Sequence, residues 1–342
     1  MERIIYKLTA PEVIEPFKIP LNREANFVIV KPYKLAICHA DYRYYKGLRN
    51  EAILKKKLPM ALIHEGIGIV ESSYSPVFQK GDKVVMLPNI LNQEIKTPVF
   101  DNYNPKSIFL SSTGDGFMQE YISLPSDNLI LLPEEVDFNI ATFLEPLSVC
   151  CHALERCSSH LQNSKEIAIW GDGNLGFLLA ITAHHLFPNI KISIIGKHEE
   201  KLRSFLSLVA HSFNISLEEK LEVPGFSVGF EVVGSQNSSD AINQIIRFIN
   251  PMGAIVLMGV SECKVAINTR DILEKGLTLY GCSRSHKKNF ETALKVIKEA
   301  RNQELMKHLI YQITNIHQIE DIHKAFEFFG EKKGRVIMNW NL

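Results

Sequence analysis

Up to about residue 145 the apolar positions come in short runs broken by turn residues, a pattern of strands rather than helices. Phe27-Val28-Ile29-Val30-Lys31-Pro32, Gly66 to Glu71, and Lys83-Val84-Val85-Met86-Leu87-Pro88 each predict a strand, the last entered through the turn Lys80-Gly81-Asp82. An irregular, mostly β domain is expected there. From Lys165 the pattern changes. Ile167-Ala168-Ile169-Trp170 reads as a buried strand, followed by a glycine turn, an apolar helix through Phe177 to Ile181, and a second strand at Lys191-Ile192-Ser193-Ile194-Ile195. Later strands at Ser227 to Val233 and Gly253 to Gly259 complete a parallel α/β unit. Helical spacing resumes at Asn289 to Ile297. After Lys333-Gly334, the apolar strand Arg335-Val336-Ile337-Met338 is expected to return to the first domain. Asn89 to Ser112 has the least pattern and predicts a surface excursion, and no solenoid repeat or low-complexity tract interrupts the chain.

Composition narrows the function classes. A chain of 342 residues can bury two ordinary cores. Lys plus Arg equals Asp plus Glu at 38 each, so no long-range field favours nucleic acid or an anionic membrane, and an anionic ligand must be caught by local groups. The opening Met1 to Lys7 lacks the apolar stretch of a signal peptide, and no apolar run is long enough to cross a bilayer, which predicts a cytoplasmic protein. Among the six cysteines only Cys150 and Cys151 are adjacent, so reduced thiols are expected rather than a disulfide framework.

The glycine turn is Gly171-Asp172-Gly173-Asn174-Leu175-Gly176, set between the first strand and the first helix of the α/β unit. Gly171 permits the tight turn, Gly173 lets a pyrophosphate approach the backbone, and Gly176 allows close helix packing, so a bound dinucleotide is expected. An NAD site would carry Asp or Glu at the end of the second strand to hold the ribose hydroxyls, whereas the chain reads Gly196-Lys197-His198. Lys197 and Lys201 can neutralise a 2′-phosphate, which favours NADP(H) over NAD. The competing reading makes both lysines ordinary solvated residues.

Candidate metal chemistry comes from Cys38-His39-Ala40-Asp41 and His64-Glu65. A thiolate, an imidazole and a carboxylate from separate segments can hold zinc and leave one position open, as a catalytic site requires. Taken singly, Cys38 would more often be a buried apolar residue and His64 a satisfied core histidine.

Cys38-x-x-Asp41, His64-Glu65, Gly81-Asp82-Lys83-Val84 and the mid-chain glycine turn, in that order, resemble the zinc-dependent medium-chain dehydrogenase/reductase family across nearly the whole chain. The resemblance implies an α/β protein with a GroES-like, mostly β catalytic domain from 1–146 and 285–342. A doubly wound Rossmann domain from 147–284 would bind NADPH. It implies one catalytic zinc on Cys38 and His64, with Glu65 a ligand or an exchanging near neighbour and Glu145 at the third ligand position. Asp41 would orient His64, and Glu145 points to the polyol branch. Arg335 matches the family's arginine near the chain end that approaches Asp41 and the pyrophosphate. The family's four-cysteine structural zinc lobe has no counterpart after Pro88, and Ala40 replaces the Ser or Thr of the usual proton relay. His39, Tyr44, Glu65 or zinc-bound water are the alternatives.

Arg43 and Tyr44, just after the first metal position, and Arg284, in Ser283-Arg284-Ser285, are candidate substrate contacts. Within the family the likeness runs furthest to members that reduce D-ribulose 5-phosphate to D-ribitol 5-phosphate, feeding CDP-ribitol for teichoic acid or capsule synthesis. A homodimer is implied by the same resemblance, and a cytidylyltransferase partner follows from the order of the pathway alone. Two other readings stay open: an NAD-dependent dehydrogenase of an unphosphorylated sugar alcohol, and a non-catalytic cofactor-binding or docking subunit. Cys150 and Cys151 read as core, and His152, His184, His185 and His198 receive no role.

Overall fold

The structure, a computed structural model, describes residues 2–91, 101–216, 222–331 and 334–342. The chain divides into two compact units, Met1–Glu145 with Ser285–Leu342, and Pro146–Arg284.

In the first unit the main sheet runs in the order Leu129–Leu131, Lys83–Met86, Glu65–Ser73, Phe27–Ala36, Arg335–Trp340 and Ile310–Ile316, and Ile122–Pro125 also pairs with Phe27–Ala36. The closing strand therefore lies beside the strand that leads to Cys38, with Ile337 opposite Ala36 and Asn339 opposite Lys34. Its parallel partner Ile310–Ile316 needs a crossover, which the helix Ile319–Gly330 supplies. That helix buries Ile322, Ala325 and Phe326, a three-and-four spacing that makes one apolar stripe. Core residues from both chain ends meet here: Ile5, Leu8, Leu35, Phe117, Phe326 and Trp340 belong to one cluster. Trp340 Nε1 donates to the Gln119 carbonyl at 2.8 Å. A smaller sheet orders Val13–Pro20, Glu2–Ala10 and Met60–Ala61.

The second unit is a six-stranded parallel sheet in the order His211–Asn214, Lys191–Gly196, Glu166–Trp170, Phe226–Glu231, Ile249–Leu257 and Thr278–Gly281. The central strand carries Ile167, Ala168 and Ile169 without exposure, as a strand covered on both faces must. The order reverses between Lys191–Gly196 and Phe226–Glu231, on either side of Glu166–Trp170, which is where open sheets of this kind bind nucleotides at their carboxyl ends.

The architecture is the expected α/β pairing of a mostly β unit with a doubly wound sheet. Two strand ends differ from the sequence reading. Phe226–Glu231 stops before Val232 and Val233, which lead to Gly234 at φ +65, and Ile249–Leu257 begins earlier and ends before Gly259. Of the stretch Asn89 to Ser112, the pair Asn89–Ile90 and Ile108–Phe109 forms a short antiparallel ladder, whereas 92–100 lie outside the described residues, as does Lys333. No helix among the described residues is long and apolar enough to cross a membrane.

Candidate active site

Cys38 leaves the strand Phe27–Ala36 and stands at the N-cap of the short helix His39–Tyr45. His64 precedes the strand Glu65–Ser73, and Ile63 before it takes φ +72, a left-handed turn that redirects the chain. The ligand atoms of Cys38, His64 and Glu65 all lie within 4.8 Å of one another.

Asp41 organises this cluster from beneath. It is fully buried, and its Oδ1 accepts the Ile63 N–H at 3.0 Å and the hydroxyl of buried Ser111. Its Oδ2 accepts the Cys38 N–H at 3.3 Å and lies 3.4 Å from His64 Nδ1. Nε2 is thereby the ring nitrogen left on the Glu65 side, 4.0 Å from Glu65 Oε1. Burial disfavours charge on both members of the Asp41 and His64 pair, yet their mutual attraction prevails. Asp41 is held below the usual carboxylate range and His64 well above the usual imidazole value. Burial, reinforced by the Glu65 carboxylate, pushes the Cys38 thiol up to about 11.

The other Glu65 oxygen pairs with Arg335, whose guanidinium also donates to the Thr142 carbonyl and lies 4.3 Å from the centre of the Phe143 ring. Arg335 was expected to approach Asp41. The carboxylate contact the structure shows for it is the ion pair with Glu65. Glu145, in the first turn of the helix Leu144–Arg156, is buried but outside the three-donor set. Burial and the neighbouring Glu65 push its carboxyl up to about 7, against the opposing pull of His64 and Arg335.

Of the substrate candidates on the first helix, Tyr44 packs into the core with the Arg49 guanidinium 4.8 Å from its ring centre, and Arg43 is half-buried. The His39 ring packs edge-on against Phe329, with centres 5.1 Å apart. Ser111 is a site residue that sequence reading missed. It stands 70 positions from Asp41, in the least patterned stretch, and its one local sign is a φ of +64 visible only in the fold.

In the second unit Gly171 takes φ +131 and donates its N–H to the Ile195 carbonyl at 2.9 Å, closing the turn between adjacent strands. A Cβ on Gly173 would meet nothing within 4 Å, so its backbone is open to a ligand at the start of the helix Asn174–Leu186. A Cβ on Gly176 would stand 2.1 Å from the Gly171 carbonyl oxygen, which excludes any larger residue. Asn174 is exposed and Leu175 half-exposed beside this opening. Lys197 and Lys201 are exposed, and neither forms an ion pair among the described residues. Arg284, half-buried at φ +59, is lowered from the usual guanidinium value by burial. Sequence reading also missed Asp172, whose carboxylate reaches the Lys197-His198 backbone.

Residues 24–134 match the alcohol dehydrogenase GroES-like domain, and residues 138–337 match the glucose dehydrogenase C-terminus. The ribulose-5-phosphate reductase of Streptococcus pneumoniae is 37% identical over 340 residues, spanning 99% of this chain and 97% of that protein. Ribulose-5-phosphate reductase 1 of Staphylococcus aureus is 40% identical over 340 residues, 98% of each. The crystal structure of S. aureus TarJ in complex with NADPH superposes with a TM-score of 0.87 at 38% identity, covering 100% of both chains.

Proposed function

The chain belongs to the zinc-dependent medium-chain dehydrogenase/reductase family, and from that premise we propose that it reduces D-ribulose 5-phosphate to D-ribitol 5-phosphate with NADPH. The observation that carries the reading is the convergence of Cys38, His64 and Glu65 in a chain that matches ribulose-5-phosphate reductases end to end.

The residues fit the two groups the family uses. One sulfur, one ring nitrogen and one carboxyl oxygen suit zinc with an open position, and Glu145 stands by as a further carboxylate. The uncovered Gly173 backbone at a helix N-terminus suits a pyrophosphate, and Lys197 and Lys201 suit a 2′-phosphate. When bound, zinc supplies Lewis acidity at the carbonyl being reduced, and NADPH supplies the hydride.

The chain's own residues set the conditions for that chemistry. Asp41 holds His64 by Nδ1 so that Nε2 faces the donor set, and Ser111 and the Ile63 N–H hold Asp41 in turn. Arg335 offsets the charge of Glu65 and fixes one of its oxygens. Either Arg43 or Arg284 is the cation assigned to the substrate phosphate, and the Tyr44 hydroxyl is assigned to a sugar hydroxyl. With Ala40 at the relay position, the proton that completes the alcohol comes from Tyr44, Glu65, His39 or solvent. The reading further includes a cytoplasmic homodimer, in line with the family likeness, whose product passes to a cytidylyltransferase as the next step of the pathway.

The test is NADPH oxidation by purified protein of measured zinc content, with D-ribulose 5-phosphate, D-ribulose and NADH as the compared reactants. Turnover with the phosphorylated sugar and NADPH, exceeding each alternative by at least about tenfold in kcat/KM, is expected. Equal turnover of D-ribulose would reject the phosphate assignment, and a zinc-loaded protein idle with every pair would reject the activity.

A further inference from the structure

The segment Gly196-Lys197-His198 is tied to the glycine turn by a single side chain. Asp172 Oδ2 accepts the N–H groups of Lys197 and His198, each at 2.7 Å, and His198 Nδ1 lies 2.9 Å from Oδ2 and 3.1 Å from Oδ1. The Asp172 side chain is 10% exposed and that of His198 is 61% exposed, so the carboxylate is an inner anchor and the ring faces outward. A Cβ on Gly196 would stand 2.6 Å from both Asp172 Cβ and Oδ2. The space that a ribose-binding acid would need at position 196 is therefore filled by Asp172, whose lone pairs are directed to the peptide N–H groups and the ring. A carboxylate so placed serves the protein backbone rather than a ribose diol.

The same contacts decide what His198 offers. With Nδ1 held by Asp172, Nε2 is the ring atom free to meet a ligand, and a ring protonated at both nitrogens between the Asp172 carboxylate and a phosphate donates Nε2–H to a phosphate oxygen as a charge-assisted bond. Lys197, its neighbour, is exposed and has no ion-pair partner among the described residues. We infer that Asp172 is a positioning residue for cofactor choice: it fixes the Lys197-His198 turn so that His198, with Lys197, binds the 2′-phosphate of NADPH. This rests on the NADPH reading above and adds to it the residue that holds the phosphate site in shape. A purely structural clamp would act alike on NADPH and NADH, since both place the adenosine ribose in the same part of such a fold.

Isothermal titration of the full-length protein with NADPH, NADH, 2′,5′-ADP and 5′-AMP tests the inference without reference to turnover. H198A is expected to weaken NADPH and 2′,5′-ADP about tenfold while leaving NADH and 5′-AMP within about twofold, the loss of one charge-assisted bond. H198R, which restores a cation, should keep NADPH within about threefold of the parent. Asp172→Asn should weaken NADPH about three- to tenfold with NADH again nearly unchanged. Equal losses on both cofactors in D172N, or an unaltered NADPH affinity in H198A, would overturn the inference. A parent protein that binds NADPH and NADH equally would instead remove the cofactor reading beneath it, so the two failures are told apart by the parent's own preference.

Discussion

Arg335 and Glu65 have side chains 7% and 3% exposed, so their ion pair is held away from water, where the loss of one partner strands the other's charge. Arg335→Met is expected to lower stability by about 3–5 kcal/mol in urea unfolding, with Glu65→Gln on the same chain recovering part of it. At the proposed metal donors the expected signature is different: Cys38→Ser should lose zinc and turnover together, measured by elemental analysis beside NADPH oxidation, while the parent treated with chelator should recover on zinc return. At Asp172 burial would raise the carboxyl, but the His198 and Lys197 N–H groups and the His198 ring hold it below the ordinary value of 3.8. Its contribution to stability is therefore complete above that value and is lost as pH falls through the lower folded value. Asp172→Asn should accordingly remove part of the fall in stability below about pH 4. Cys38, His64 and Glu65 were legible as candidate donors because their motifs stand in the family's order, and the fold brings their ligand atoms within 4.8 Å of one another. The partners of those residues were not: Ser111 reaches Asp41 across 70 positions and Arg335 reaches Glu65 from the far end of the chain, contacts that no periodicity encodes.

The strand Glu65–Ser73 connects the donor set to the sheet, and its sequence announces a strand without announcing how closely it is packed. A Cβ on Gly68 would come within 2.3 Å of Val30 Cγ1 and 2.8 Å of the Lys31 carbonyl oxygen on the neighbouring strand. Backbone cannot yield there as a flexible side chain would. The ladder between Phe27–Ala36 and Glu65–Ser73 also shifts register twice, between Ile29 and Val30 and between Pro32 and Lys34, and ends with Ala36 opposite Glu65. Bulges of this kind re-aim a strand end, here the end that carries Glu65 and, one residue before it, His64. Gly68→Ala should cost about 1–3 kcal/mol through overpacking and lower zinc occupancy with it. Gly281→Ala, where an added Cβ meets nothing within 4 Å, should stay within about 0.5 kcal/mol of the parent. A short apolar run ahead of the turn Lys80-Gly81-Asp82 gave away the strand's existence, whereas the bulges and the tight contact depend on the partner strand and stay hidden until both are placed.

The chain has two tryptophans, and each is nearly fully buried in a different unit: Trp340 in the one carrying Cys38, His64 and Glu65, Trp170 in the one carrying the glycine turn. Each unit has a hydrophobic cluster of its own, with Trp340 in one and Trp170 in the other. A ligand that binds only the folded form stabilises whatever cooperative body encloses its site, by about 2.7 kcal/mol at a free concentration of a hundred times Kd. Trp170→Phe leaves Trp340 as the reporter of the first unit, and Trp340→Phe leaves Trp170 as the reporter of the second. Chelator should therefore lower the unfolding midpoint seen by Trp340 and leave that seen by Trp170 close to its starting value. NADP+ should raise the midpoint seen by Trp170 by the larger amount. Followed by tryptophan emission during thermal unfolding, a fall of the Trp170 midpoint on chelation with Trp340 unmoved would place the metal in the wrong unit. That outcome would contradict the donor set of Cys38, His64 and Glu65 by a route that involves neither substrate nor turnover.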